Sequence, residues 1–507
     1  MRPPHENAMK SKRFEAILSV LAVLLLLSGC SLAPHYAKPD VALPGHFKED
    51  RASGDAPAHA GSDYGAWQLA RPAEGSERGE WWRIFHDRRL DDYEEQALHN
   101  NPGLQAAVAR VKESRAMLQT ARSALFPDLS AGFGPSREKL SAVSQLRPDG
   151  VQIPTENVWR AQASAGYEVD LFGRVSDSIK ASAAQAEQSE ALFRSVRLAL
   201  QADVAQSYFN LRELDAELDV YNRSVALRSR ALELVQRRFD AGETSELDVV
   251  RGRSELATAR SEAMTAERLR AASEHSLAVL LGKVVAEFSV EHNPLVSVDI
   301  HVPPGLPSSV LERRPDIAAA ERAMAAANAR VGIAKSAFFP ALNLTGTAGF
   351  ESASLSDLFK WSSRAFLLGP FAGSALTVPL FDGGRRKGDL ARARAAYEVN
   401  VDDYRQQVLV AFREVEDNLA DLRILQDQTV TQAEAVKAST RAAQLSRTQY
   451  QEGAVNFLDV IDADRTVLQA QRAAVQLAGL QAVSTVNLIR AMGGGWSTAP
   501  SLANANE

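Results

Sequence analysis

The 507-residue sequence predicts a mainly α-helical chain that also carries part of a membrane β-barrel. Four strands and two long helical hairpins per chain arise from an internal duplication, and a trimer completes a twelve-stranded barrel continued by an α-helical barrel. Three observations predict it. The chain repeats itself at a spacing of about 211 residues, two very long stretches contain neither Gly nor Pro, and short segments between the helices switch from a helical apolar period to a period of two.

The repeat is visible when Phe239-Asp-Ala-Gly242 is laid on Tyr450-Gln-Glu-Gly453, which places Leu247-Asp248-Val249 opposite Leu458-Asp459-Val460. Leu281-Gly282 then meets Met492-Gly493. At about 213 residues Asn101-Pro102 falls on Arg314-Pro315, and Leu125-Phe-Pro127 on Phe338-Phe-Pro340.

Taken in order, residues 1–29 read as a lipoprotein signal peptide. Lys10, Lys12 and Arg13 precede an apolar run from Ala16 to Leu27, and Leu27-Ser-Gly-Cys30 is a small-residue cleavage site ending in cysteine. The run falls short of the roughly 20 residues that span a bilayer. Cys30 is the only cysteine, so no intramolecular disulfide or Cys-based metal cluster forms, and its expected role is to carry a diacylglycerol and an N-acyl chain. Residues 30–78, rich in Pro, Gly, Ala and Asp, suit an extended lipidated tether. Trp81-Trp82 marks the start of the body. The first structural repeat covers 79–282 with a β-hairpin near 128–171, a linker covers 283–312, the second repeat covers 313–493 with a β-hairpin near 341–380, and 494–507 form a tail.

From Val175 to Ala241 and from Asp389 to Glu452 there is no Gly or Pro, and Ala, Leu, Gln, Glu and Arg dominate. At about 1.5 Å per residue such helices reach on the order of 100 Å and must bury their stripes laterally. One such stripe is Val408, Ala411, Phe412, Val415, Leu419 and Leu422. Each long helix ends near a glycine, Gly242 or Gly453, and a shorter partner closes at Gly282 or Gly493.

The strand pattern is clearest from Trp159 to Leu171, where Trp159, Ala161, Ala163, Ala165, Tyr167, Val169 and Leu171 alternate with polar or small residues. Leu342, Leu344, Gly346, Ala348 and Phe350 repeat it. Leu129, Ala131 and Phe133 form a weaker version, and Phe366, Leu368, Ala372, Leu376, Val378 and Leu380 a fourth strand despite Pro370. Each supplies the roughly 9 to 11 residues of a membrane-spanning strand, although a soluble sheet with one face on a core has the same alternation. Four strands cannot close a barrel and their edges cannot stay open in lipid, so several chains must contribute. A net charge of −6 provides no basic footprint for nucleic acid. No His-Glu-x-x-His, phosphate-loop or paired-Cys motif occurs, so neither a metal centre nor an enzyme is expected. Gly383-Gly384-Arg385-Arg386 reads as a turn between strand and helix rather than a phosphate cradle.

Leu27-Ser-Gly-Cys30, Trp81-Trp82 with Phe85, Asp87 and Leu90, Ala97-Leu-His-Asn100, Leu306-Pro-Ser-Ser, Leu311-Glu-Arg-Arg-Pro-Asp316, Pro379-Leu-Phe-Asp-Gly-Gly384 and Phe457-Leu-Asp-Val-Ile-Asp462 together resemble the TolC-like outer-membrane factors. The match is to their lipoprotein branch, and Leu311–Asp316 is its most specific part. The resemblance implies a homotrimeric conduit held in outer-membrane lipid and extending into the periplasm. It also implies docking by a periplasmic adaptor protein and an inner-membrane pump, and efflux of small molecules. A duct for type I protein secretion and a poreless lipid-anchored coiled-coil scaffold are the rival readings.

By the same resemblance Asp459 and Asp462 match gate-lining aspartates. Threefold symmetry at the tips holding Gly242 and Gly453 would gather them into carboxylate rings that respond to pH and bound cations. Asp462 falls opposite Arg251 in the other repeat. Arg251 is therefore a candidate lock that pairs with Asp459 or Asp462 of a neighbouring hairpin, with Asp248 and Tyr450 matching the surrounding pattern.

Overall fold

The computed structural model describes residues 31–39, 47–49, 80–140, 148, 153–296, 310, 313–368 and 376–494. The signal segment, Cys30, Leu306-Pro-Ser-Ser, Pro370, Ala372 and the tail after 494 lie outside them. The elements in chain order are α1 (Arg88–Asn100), α2 (Pro102–Ser123), β1 (Asp128–Glu138), β2 (Glu156–Val169), α3 (Arg174–Asp240) and α4 (Glu246–Leu280). They are followed by α5 (Pro315–Ser336), β3 (Ala341–Ser352), β4 (Arg364–Leu368), β5 (Leu376–Thr377), α6 (Arg385–Gln451) and α7 (Phe457–Ala491). The duplication is exact in length where it matters most: α3 and α6 have 67 residues each, and α4 and α7 have 35 each. The chain forms two units, one from 1–39, 111–189 and 320–404, the other from 40–110, 190–319 and 405–507.

The first unit holds the sheet, antiparallel in the order β1-β2-β3-β4, with β5 also on β3. The pairing of β2 with β3, Trp159↔Ser352 through Val169↔Leu342, joins the two repeats. The fourth predicted strand is described in two parts. Gly346 pairs with Leu368 and Leu342 with Leu376, so β4 and β5 lie on β3 in different registers.

Alternation sorts the sheet into two chemically distinct faces. On one, Arg160 bridges β1 and β3 through Glu138 at 2.8 Å and Glu351 at 3.0 Å, and the Ser130 and Ser164 hydroxyls lie 2.7 Å apart. On the other, Leu129 is 77% exposed, Phe133 65% and Phe366 75%. The soluble-sheet alternative requires the apolar face to be packed on a core; in this chain it is the polar face that is cross-linked and the apolar face that is bare. Among the described residues no helix is long and apolar enough to cross a membrane.

Residues Ser31–Pro39 of the expected tether are held against this unit. The Ser31 hydroxyl donates to Asp177 at 2.6 Å, and Asn328 Nδ2 donates to the Pro34 carbonyl at 2.9 Å. Residues 47–49 are held against the second unit, where Phe47 is buried beside Phe412 and Glu416 accepts the Lys48 and Glu49 N–H groups at 2.8 and 3.1 Å.

The second unit contains α1, the turn Trp81–Phe85 and both helical hairpins beyond residues 190 and 405. Trp81 and Trp82 are buried, and Val408, Ala411 and Val415 of the predicted stripe are fully so. Both hairpins turn alike. Gly242 (φ 78°) and Gly453 (φ 79°) occupy the left-handed region, and the next residue donates back to the helix, Glu243 N to Arg238 O and Ala454 N to Gln449 O, each at 2.8 Å. That capping geometry needs a residue without Cβ strain, which explains the glycine at both positions.

Candidate gate at the hairpin tips

At the tips, Val235 and Val249 of the first repeat pack with Tyr450, Phe457, Val460 and Ile461 of the second. Gly252 lets this happen: a Cβ there would stand 3.1 Å from Leu232 and 3.6 Å from Phe457. The apolar stripe of α7 runs Phe457, Val460, Ile461, Asp464, Leu468, so one carboxylate sits inside it and is buried. Arg447 answers that charge, its Nε and Nη2 donating to Asp464 Oδ1 at 3.1 and 2.5 Å. Burial nevertheless pushes the Asp464 carboxyl up, against the pull of Arg447 and Arg228. The first repeat has the same brace with the roles exchanged. Gln236 and Arg253, which align with Arg447 and Asp464, are joined at 3.1 Å.

Asp459 and Asp462 both stand exposed on the first turns of α7. Asp459 Oδ2 accepts the Asn456 N–H at 3.0 Å, which makes it the third residue of a helix cap. Asp462 lies 3.6 Å from Arg465 one turn on. Arg465 in turn reaches Glu255 on α4, and Glu255 also receives Arg228 at 3.0 Å. Four charged groups from α3, α4 and α7 thus form a chain that ends on one of the candidate gate carboxylates.

The candidate lock residues have these partners within one chain. Within the chain the partner of Arg251 is Asp248 on its own helix, at 3.6 Å, and Asp248 also accepts from Thr244 at 2.8 Å. Nearer the turns, Arg238, in the last turn of α3, also ties the two hairpins together. It donates to the Tyr450 and Gln451 carbonyls at the end of α6, at 3.1 and 2.9 Å, and its guanidinium lies 4.8 Å from the centre of the Tyr450 ring. Those carbonyls lie in the last turn of α6, at the negative end of its dipole, which suits a cation; the Tyr450 carbonyl also accepts the Gly453 N–H at 3.1 Å. Tyr450 belongs to this contact: its ring is buried against Phe457 at 5.4 Å, its hydroxyl is buried, and the residue lines a groove that Asp464 also lines.

The most specific sequence motif is a structural bolt in the same unit. Arg314 grips Asp316 at 3.0 and 2.5 Å, Glu414 at 2.6 Å and the Ala491 carbonyl at 3.0 Å, fastening the start of α5 to α6 and to the end of α7. At Gly383–Arg386, Asp382 accepts the Gly384 and Arg386 N–H groups at 3.1 and 3.2 Å, so the chain's own carboxylate occupies the turn.

Comparison with known proteins extends these geometries. The Outer membrane efflux protein family model matches twice, at residues 94–283 and 306–494, once for each repeat. The chain is 32% identical over 481 residues to the toluene efflux pump outer membrane protein TtgF of Pseudomonas putida, covering 94% of this chain and 96% of that one. It is 30% identical over 478 residues to the cation efflux system protein CusC of Escherichia coli, covering 94% and 97%. The solved structure of the outer-membrane channel OprN is similar at a TM-score of 0.81 and 28% identity, covering 92% of this chain and 100% of that one. With both repeats matched and whole-length relatives above 30% identity, the chain belongs to the outer membrane efflux protein family.

Proposed function

We propose that three copies of this chain form a passive, gated duct across the outer membrane, carrying small molecules delivered by a periplasmic adaptor and an inner-membrane pump. The observation that carries it is the open sheet, whose apolar face is bare and whose β1 edge pairs only with β2 among the described residues. In lipid an open edge leaves backbone groups unsatisfied, and side-by-side addition of copies removes every edge. Four predicted strands in each of three chains make twelve. The polar face bearing Arg160 then lines the lumen and the face bearing Phe133 and Phe366 meets lipid.

In such an assembly Asp459 and Asp462 supply six carboxylates around the tip opening. Confined like charges repel, and a carboxylate ring favours cations over anions. Cys30 carries the acyl chains that hold the tether in the membrane. Relatives are named for toluene and for cation efflux, which supports a duct with little selectivity of its own; the sequence contains no phosphate loop, so energy comes from the pump.

Light scattering of the detergent-solubilised protein tests the assembly. A heat-modifiable species with the protein mass of three chains is expected. A monomer that shows no conductance in planar bilayers would return the chain to the scaffold reading.

A further inference from the structure

The residue after Cys30 is fastened to the body by a buried charge that neither the barrel nor the gate requires. Asp177, in the first turn of α3, is fully buried. Its Oδ1 receives the Ser31 hydroxyl at 2.6 Å and Lys180 Nζ at 3.0 Å, while its Oδ2 is buried without a hydrogen-bond partner. Opposite stands Gly332 on α5. A Cβ at that position would lie 2.2 Å from Asp177 Oδ2 and 2.8 Å from the Ala33 side chain, so only glycine leaves room for the segment. Further along, Asn328, 5% exposed, holds the Pro34 carbonyl at 2.9 Å, and the Tyr36 hydroxyl donates to Glu321. Leaving a buried carboxylate without its donors costs more than the donors contribute when present, so Asp177 favours the occupied state.

We propose that Asp177, Gly332 and Asn328 form a receptor for the chain's own mature N-terminus, which fixes where the acyl chains enter the membrane. The inference rests on the lipidation of Cys30. Asp177 follows β2 and Gly332 precedes β3, and these strands pair at this end through Val169↔Leu342. Ser31 is therefore held near the end of the sheet at which β2 and β3 pair. The anchor is delivered to the lipid boundary of the barrel instead of swinging on a free tether. The receptor takes a small hydroxyl donor at position 31; a carboxylate there would face Asp177 and be rejected. The segment also touches both repeats, since Asp177 belongs to the first and Asn328 and Gly332 to the second.

The test is hydrogen exchange of the peptide spanning 31–39 in the full mature protein in detergent, with the mass of the Cys30 peptide read in the same experiment. Wild type, Asp177→Asn, Gly332→Ala and Cys30→Ser are compared. Protection is expected in wild type and in Cys30→Ser, since docking does not need the lipid. Asp177→Asn and Gly332→Ala should speed exchange about tenfold or more while Cys30 stays acylated. An acylated wild type whose 31–39 amides exchange freely, or equal protection in both receptor variants, overturns the receptor alone. An unacylated Cys30 in wild type overturns the lipidation reading and the anchoring role with it.

Discussion

Replacing Arg238 by alanine should loosen the closed tip, and the structure sets the size of the effect. The guanidinium makes two hydrogen bonds to the end of α6 and one stacking contact with Tyr450. A hydrogen bond to a charged group contributes about 1.5 kcal/mol at the low end, which suits a side chain 23% exposed. The cation–π contact adds about 0.5 kcal/mol. Deducting the water contacts the freed carbonyls recover leaves about 2–3 kcal/mol, or about a 30- to 150-fold shift toward the open tip. Single-channel recording in planar bilayers reads that shift as an increased open fraction. Arg238→Lys should recover part of it, because the charge remains and the planar fork is lost. An Arg238→Ala channel indistinguishable from wild type, beside an Arg251→Ala channel that opens, would refute the assignment and restore Arg251 as the lock.

Three further outcomes follow from named contacts. Burial pushes the Glu213 carboxyl up to about 7, with Glu217 adding like charge. The folded chain then keeps a proton that the unfolded chain loses near pH 4.5, so this residue removes stability as pH rises from about 4.5 to 7 and the loss is complete above 7. Glu213→Gln should therefore be more stable than wild type by about 2–3 kcal/mol at pH 8 and equal to it at pH 4, read as Tm against pH. Asp464→Ala and Arg447→Ala should be strongly coupled, with an interaction energy of about 1–3 kcal/mol in a double-mutant cycle read by exchange of the tip amides; simple additivity would show that the brace is idle. Phe366→Arg places a charge on the bare face and should cost about 2–4 kcal/mol of membrane insertion, measured by folding into vesicles, whereas a lumen-facing assignment predicts little change.

What could be read from the sequence was whatever obeys a period or a repeat. The helical hairpins follow from uninterrupted stretches between glycines, and Gly242 and Gly453 mark their turns because only the cap geometry there demands a left-handed residue. The strand faces follow from alternation, since Trp159, Ala161 and Ala163 must point away from Arg160 and Gln162. Partner choice between helices was not legible. Arg251 aligns with Asp462, and within the chain it pairs with Asp248 one turn away on its own helix, where the geometry is local. Arg238 instead meets main-chain carbonyls, which leave no signature in side-chain identity. Asp464 did leave one, as a charge at an apolar position of the stripe from Phe457 to Leu468, and a buried ion pair is the usual resolution of such a position. The docking of Ser31 on Asp177 spans 146 residues and obeys no period at all.

The most direct test of the duct and its gate is single-channel conductance of the purified mature protein, wild type beside Asp459→Ala/Asp462→Ala. A small, flickering wild-type conductance that rises sharply in the double variant is the predicted result. Equal conductance in both would move the gate away from the carboxylates, and no conductance in either would contradict the duct itself.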